Sequence, residues 1–162
     1  MSFCLLELSM HELQDVAASR VPPSLAPRLD DGALPPPFVA ARSLDLRACG
    51  HPVPWSTTFL IVRQGDGRIV GACGFKTAPC NGEVELGYGV APGARGQGAA
   101  TAAVKMLLTR AFEAGASQVL AAVAPENHAS THVVEKAGFR RDGAGFDQDR
   151  EYVIRWIKVS AA

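Results

Sequence analysis

The chain has no excess of charge of either sign, with 16 Lys and Arg against 16 Asp and Glu in 162 residues. A neutral chain lacks the electrostatic footprint of a protein whose main partner is nucleic acid or an anionic membrane. No apolar run approaches the roughly 18–20 residues that a membrane span needs. Cysteine is scarce, and Cys4, Cys49, Cys73 and Cys80 have no metal-ligand spacing. We read them as reduced thiols of a cytoplasmic protein. A nucleophilic cysteine at Cys73 or Cys80 would need an activating histidine or helix N-terminus, and neither stands beside them in sequence. Histidine is equally sparse. His128 and His132 lie four apart, a spacing metals can use, but no third ligand accompanies them, so no metal is expected. The segment Met1–Leu8 has no basic stretch and reaches a charge too early for a secretory signal.

What is present fits one globular domain over residues 1–162. The hydrophobic share of 48% and charged share of 20% are ordinary for such a fold. A weakly alternating strand at 2–8 leads to a short helix over 11–18, capped near Ser9. Prolines break up residues 20–37, which read either as a linker or as an ordered lid over a site. A second helix follows at 38–49. Thr57–Arg63 and Arg68–Phe75 form a hairpin about Gln64-Gly-Asp-Gly67, and Asn81-Gly82 turns into a strand at Glu83–Val90. Residues 98–114 carry the best helical pattern in the chain, with Gly115 as its stop. A buried strand at 119–124, a helix capped by Asn127 and closed at Gly138, and strands at 139–144 and 151–159 complete the order. The expectation is an α/β fold, a mixed, mostly antiparallel, strongly twisted sheet of about seven strands with helices on both faces.

The most informative stretch is Val90-Ala-Pro-Gly-Ala-Arg-Gly-Gln-Gly-Ala-Ala-Thr101. A glycine loop that feeds a helix N-terminus offers unpaired N–H groups and the positive end of a helix dipole, a site for phosphate. The two common nucleotide fingerprints do not fit. A dinucleotide fold expects a small residue three positions after Gly98 and a carboxylate about 20 residues on. Thr101 holds the first position, and Ser117–Val123 has no carboxylate. The Gly-Lys-Ser/Thr of a Walker loop is absent.

The run matches Arg/Gln-x-x-Gly-x-Gly/Ala as Arg95-Gly96-Gln97-Gly98-Ala99-Ala100. Here the chain resembles the GNAT superfamily of acyl-CoA-dependent N-acyltransferases. Glu85–Pro92 resembles that family's fourth strand, and Pro125–Thr131 with Glu135–Phe139 resembles its later helix and strand. Ser130 after Asn127, with Gly71–Lys76 upstream, is similar to the RimJ/RimL-like branch. The likeness covers roughly residues 57–159. It implies acetyl-CoA as co-substrate, its pyrophosphate on Arg95, Gly96, Gln97, Gly98, Ala99, Ala100 and Thr101. It also implies a pantetheine arm beside Val90, and Asn127 donating to a pantetheine carbonyl. Asn127 has a plain role as helix N-cap as well.

An amine attacks a thioester only when neutral. A lysine-like amine is neutral in only about 0.04% of molecules at pH 7, and an α-amino group in roughly 14%. A carboxylate base, direct or through water, recovers much of that loss. Glu83, Glu85, Gly87 and Gly89 share one face of the strand, and two glycines there signal a close approach to the backbone. We take Glu85 as the base and Glu83 as solvated. The leaving thiolate needs an acid. The resemblance implies a tyrosine in the last helix, but Val134 stands at that position. In the RimJ/RimL-like branch a serine is the donor, which points to Ser130.

Arg95 either binds phosphate or orients its loop. Trp55 either lines the acceptor pocket or seals the core. Lys105, Arg110 and Lys136 read as solvated helix charges. The leading function is acetyl transfer from acetyl-CoA to a primary amine in a ternary complex, by a monomer or homodimer. The rivals are an N-terminal protein acetyltransferase and a non-catalytic acyl-CoA-binding module.

Overall fold

The computed structural model describes residues 1–161. Seven strands form one sheet in the order β1-β2-β3-β4-β5-β7-β6. They are β1 (Phe3–Glu7), β2 (Thr58–Arg63), β3 (Arg68–Phe75), β4 (Glu83–Val90), β5 (Gln118–Val123), β6 (Arg140–Phe146) and β7 (Tyr152–Val159). The helices are α1 (Met10–Ala17), α2 (Pro37–Ala48), α3 (Ala99–Glu113) and α4 (His128–Lys136). These bounds fall within about two residues of those read from the sequence. Local signals account for that agreement. Ser9 and Glu12 close a reciprocal capping box at the start of α1. Gly115 and Gly138 follow α3 and α4 with φ of +99° and +88°, a conformation that glycine adopts without strain.

Helices cover both faces, as β2 makes plain. Neighbouring residues of a strand point to opposite sides. The Thr58 hydroxyl lies 2.9 Å from that of Ser43 on α2, whereas Phe59 lies under the Arg110 guanidinium of α3, 4.7 Å from the ring centroid. Arg110 is therefore stacked on an aromatic ring rather than solvated. The core runs along the α3 side, where Ala103, Val104, Leu107 and Ala111 are fully buried against the sheet.

Two features prepare the site. All named strand pairs are antiparallel except β4 and β5, which run parallel and stay paired only from Glu83–Glu85 against Gln118–Leu120. Beyond Glu85 they separate, leaving one edge of Leu86–Val90 without a strand partner. The second feature is the proline-rich segment. Arg68 donates to the Asp30 carboxylate at 2.8 Å and to the carbonyls of Leu29 and Pro27. The Asp30 amide donates to Ile69. The segment is thus tied to β3 as a wall of the domain, not strung out as a linker.

Candidate active site

A cleft of about 780 Å³ opens where β4 and β5 part. Its walls are Leu86–Val90, Ala121–Ala124, the proline segment at Gly32–Pro36, and Phe38, Val39 and Arg42 of α2. It continues into a second hollow of about 570 Å³ between the 94–101 loop and α4. Tyr88, Gly89, Val90, Asn127 and Ser130 line both.

The second hollow is built from backbone. Gly96 and Gly98 have φ of +77° and +88°, and a Cβ on either would meet open space. The main-chain amides from Arg95 to Thr101 donate to no acceptor among the described residues. Such a row of unpaired donors at the N-terminus of a 15-residue helix favours an anion. The Gln97 side chain turns elsewhere: its carbonyl accepts from Arg63 at 2.8 Å, and Arg63 also holds Asp66. That bridge braces the loop from β2. Arg95 is exposed at the rim, with His132 and Lys136 of α4 across from it. Lys136 and His132 therefore line the same hollow as the glycine loop, which the sequence did not reveal.

At the junction, Asn127 Oδ1 accepts from the Ser130 amide at 3.1 Å, so the cap is formed and the side-chain NH₂ is left to donate. Ser130 is half-buried in the first turn of α4. Val134, where the resemblance implied a tyrosine, is fully buried in the core. A tyrosine does lie at the junction, but on β4. The Tyr88 hydroxyl is buried and has no hydrogen-bond partner among the described residues. Burial raises its pKa, while the nearby Ser130 hydroxyl pulls the other way without a bond of standard geometry between them. An orphaned buried phenol is costly unless something else completes it.

The carboxylates of β4 are both occupied. Lys76 Nζ lies 2.6 Å from Glu85 Oε2. Glu83 accepts from Gln118 and lies 3.3 Å from Arg155, which places it in a brace between β4, β5 and β7. Trp55 is buried edge-on against Phe75, with centroids 5.0 Å apart, so it backs the cleft wall rather than lining the cleft. Burial pushes the Cys73 thiol well up, which keeps it protonated. Among the described residues, no group of three His, Cys, Asp or Glu could hold a metal ion, and no helix is long and apolar enough to cross a membrane.

Residues 37–140 match the family model of the acetyltransferase (GNAT) domain. No curated protein matches the chain. Among solved structures it is similar to a ribosomal-protein alanine acetyltransferase from Vibrio fischeri, with 17% identity, 99% of this chain and 94% of that one covered, and a TM-score of 0.70. An acetyltransferase from Agrobacterium tumefaciens shows 23% identity over 98% of this chain and 91% of its own, with a TM-score of 0.66. An aminoglycoside acetyltransferase in complex with coenzyme A shows 16% identity over 98% and 95%, with a TM-score of 0.67.

Proposed function

Because this chain belongs to the GNAT acetyltransferase family, we propose that it transfers an acetyl group from acetyl-CoA to a primary amine by direct attack with both substrates bound. One observation carries this reading. The two halves of the cleft, one lined by free amides and one by side chains, share Tyr88, Val90, Asn127 and Ser130. A phosphate-bearing donor and an amine acceptor enter from opposite ends and meet at those residues.

Acetyl-CoA brings an acyl group already activated as a thioester. The amides of Arg95–Thr101 hold its pyrophosphate, with Lys136 and Arg95 adding charge at the rim. The free edge of β4 at Val90 and the Asn127 NH₂ orient its arm. Glu85 takes the proton from the acceptor amine, directly or through water. The hydroxyls of Ser130 and Tyr88 hold a proton where the thiolate leaves. A protonated, buried Cys73 supports direct transfer over an acyl-cysteine. No step of this reading calls for a metal, and we place the enzyme in the cytoplasm.

A non-catalytic acyl-CoA-binding module would leave Glu85 in bulk water and Ser130 turned away. Instead the Glu85 side chain is 29% exposed and paired, and Ser130 faces the junction. A panel of amines with acetyl-CoA, read as released thiol, tests the proposal. At least one amine should raise thiol release well above hydrolysis. Tight acetyl-CoA binding with no amine-dependent release would return the chain to the binding-module reading.

A further inference from the structure

Resting on that reading of the cleft, we propose that the acceptor is a free amino acid or close analogue, whose carboxylate is bound by Arg42. Ser43, buried and bonded to Thr58 across the α2–β2 contact, fixes how α2 is rotated. That rotation places Arg42, the preceding residue, in the cleft wall. Its guanidinium is half-buried, yet no hydrogen bond or ion pair within the described residues engages it. Its one aromatic neighbour is Phe38, 5.9 Å from the ring centroid. Arg63, Arg68 and Arg155 each have a carboxylate within 4 Å by contrast. A guanidinium remains charged even when burial weakens it. A partly desolvated, unpaired cation of planar fork shape is matched by a bidentate carboxylate.

The remaining charges of the cleft agree. Lys76 and Asp149 line it, and Lys76 is paired with Glu85, which stands just behind the lining. Lys76 and Glu85 thus cancel each other, which leaves Arg42 as the lining cation with no carboxylate in ion-pair reach. Glu85 is near enough to Arg42 to influence it electrostatically but makes no contact with it. A molecule whose amine and carboxylate are a few bonds apart would bridge that gap, amine toward Glu85 and carboxylate on Arg42. Leu34, Pro35, Val39 and Phe75 offer its side chain an apolar surface. A protein N-terminus has no carboxylate at that distance and would leave Arg42 bare.

The test compares the L-amino acids with their carboxamides, with spermidine and with a short peptide, using acetyl-CoA and released thiol. For the preferred amino acid, kcat/KM should exceed that of its amide by about 10- to 100-fold, the scale of a charged hydrogen-bonded pair. Arg42→Gln should collapse that ratio toward one, and Arg42→Lys should restore part of it. Equal turnover of acids and amides, or turnover of spermidine or the peptide alone, overturns the proposal while leaving the acetyltransferase reading intact. A second arm needs no turnover. Pooled N-acetyl amino acids should raise the Tm of the wild type more than the pooled N-acetyl amides, and this difference should vanish in Arg42→Gln. No difference in the wild type overturns Arg42 as the carboxylate site. Absence of any amine-dependent thiol release, with the Tm difference present, instead overturns the transferase reading alone.

Discussion

Lys76 reaches across the turn between β3 and β4 to place its Nζ 2.6 Å from Glu85 Oε2. Its stem passes over Gly87, where a Cβ would meet Lys76 Cε at 3.4 Å. The glycine read from the sequence as room for a ligand is thus partly room for a lysine, while Gly89 faces open space. The carboxylate proposed as base is held by a neighbouring cation, with which an incoming amine would compete.

That competition separates a base from a brace. Glu85→Gln keeps shape and removes basicity, and kcat should fall about 10²–10⁴-fold with acetyl-CoA affinity nearly intact. The deficit should shrink as pH rises and more of the amine is neutral. Lys76→Met should lower kcat far less, since it leaves the Glu85 carboxylate in place to take the proton. Equal losses of rate in the two variants would mark the pair as a structural unit and assign the proton to water.

Gly98 starts α3 at a φ of +88° with open space where a side chain would be. Gly98→Val should abolish acetyl-CoA binding by filling the phosphate hollow. The gentler Gly98→Ala should weaken it and destabilise by about 1–2 kcal/mol through the strained backbone alone. At this chain length that is roughly 2–8 °C in Tm. Calorimetric titration with acetyl-CoA, alongside a melt, checks both, and undiminished affinity in Gly98→Val would remove the loop from the site.

Tyr88 and Ser130 should trade activity against stability. Tyr88→Phe removes a buried hydroxyl with no partner in the free protein. It should leave Tm unchanged or slightly raised while turnover falls. Ser130→Ala should lower kcat by about 10- to 100-fold, the effect of one hydrogen bond to a charged group at about 1.5–3 kcal/mol. The double variant should lose less than the product of the two if both hydroxyls serve one thiolate. Strictly multiplicative losses would assign them separate tasks.

Cys73 sets an alkaline limit. Its folded pKa is raised by burial above the ordinary thiol value of about 8.5. A group raised on folding contributes its full stability below the unfolded value and loses it as pH climbs toward the folded one. Denaturant melts should therefore show stability falling above about pH 8.5. Cys73→Val should flatten that decline, and the native thiol should resist alkylation that Cys49 and Cys80, both exposed, accept readily. An unchanged alkaline slope in the variant would assign the decline to other groups.

The order of elements, the glycine loop and the Asn127 cap were legible in the sequence because each is a local event. Gly96 and Gly98 need positive φ, Asn127 bonds an amide three residues on, and strand and helix periods repeat within a few residues. The dense prolines around residue 35 were ambiguous, since only a distant Arg68 decides that they form a wall. The acid–base side of the site was less legible. Glu85 stood out by its place among glycines, but its lysine partner comes from just past the end of the neighbouring strand. Tyr88 looked like one more apolar residue of an alternating strand, and that its hydroxyl is buried without a partner shows only in the fold. Arg42 belongs to a helix far from the motif, and its place in the cleft depends on how α2 is rotated against β2. Short-range backbone chemistry determined the glycine loop and the helix start that it feeds. Long-range packing decided which side chains line the cleft between β4 and β5.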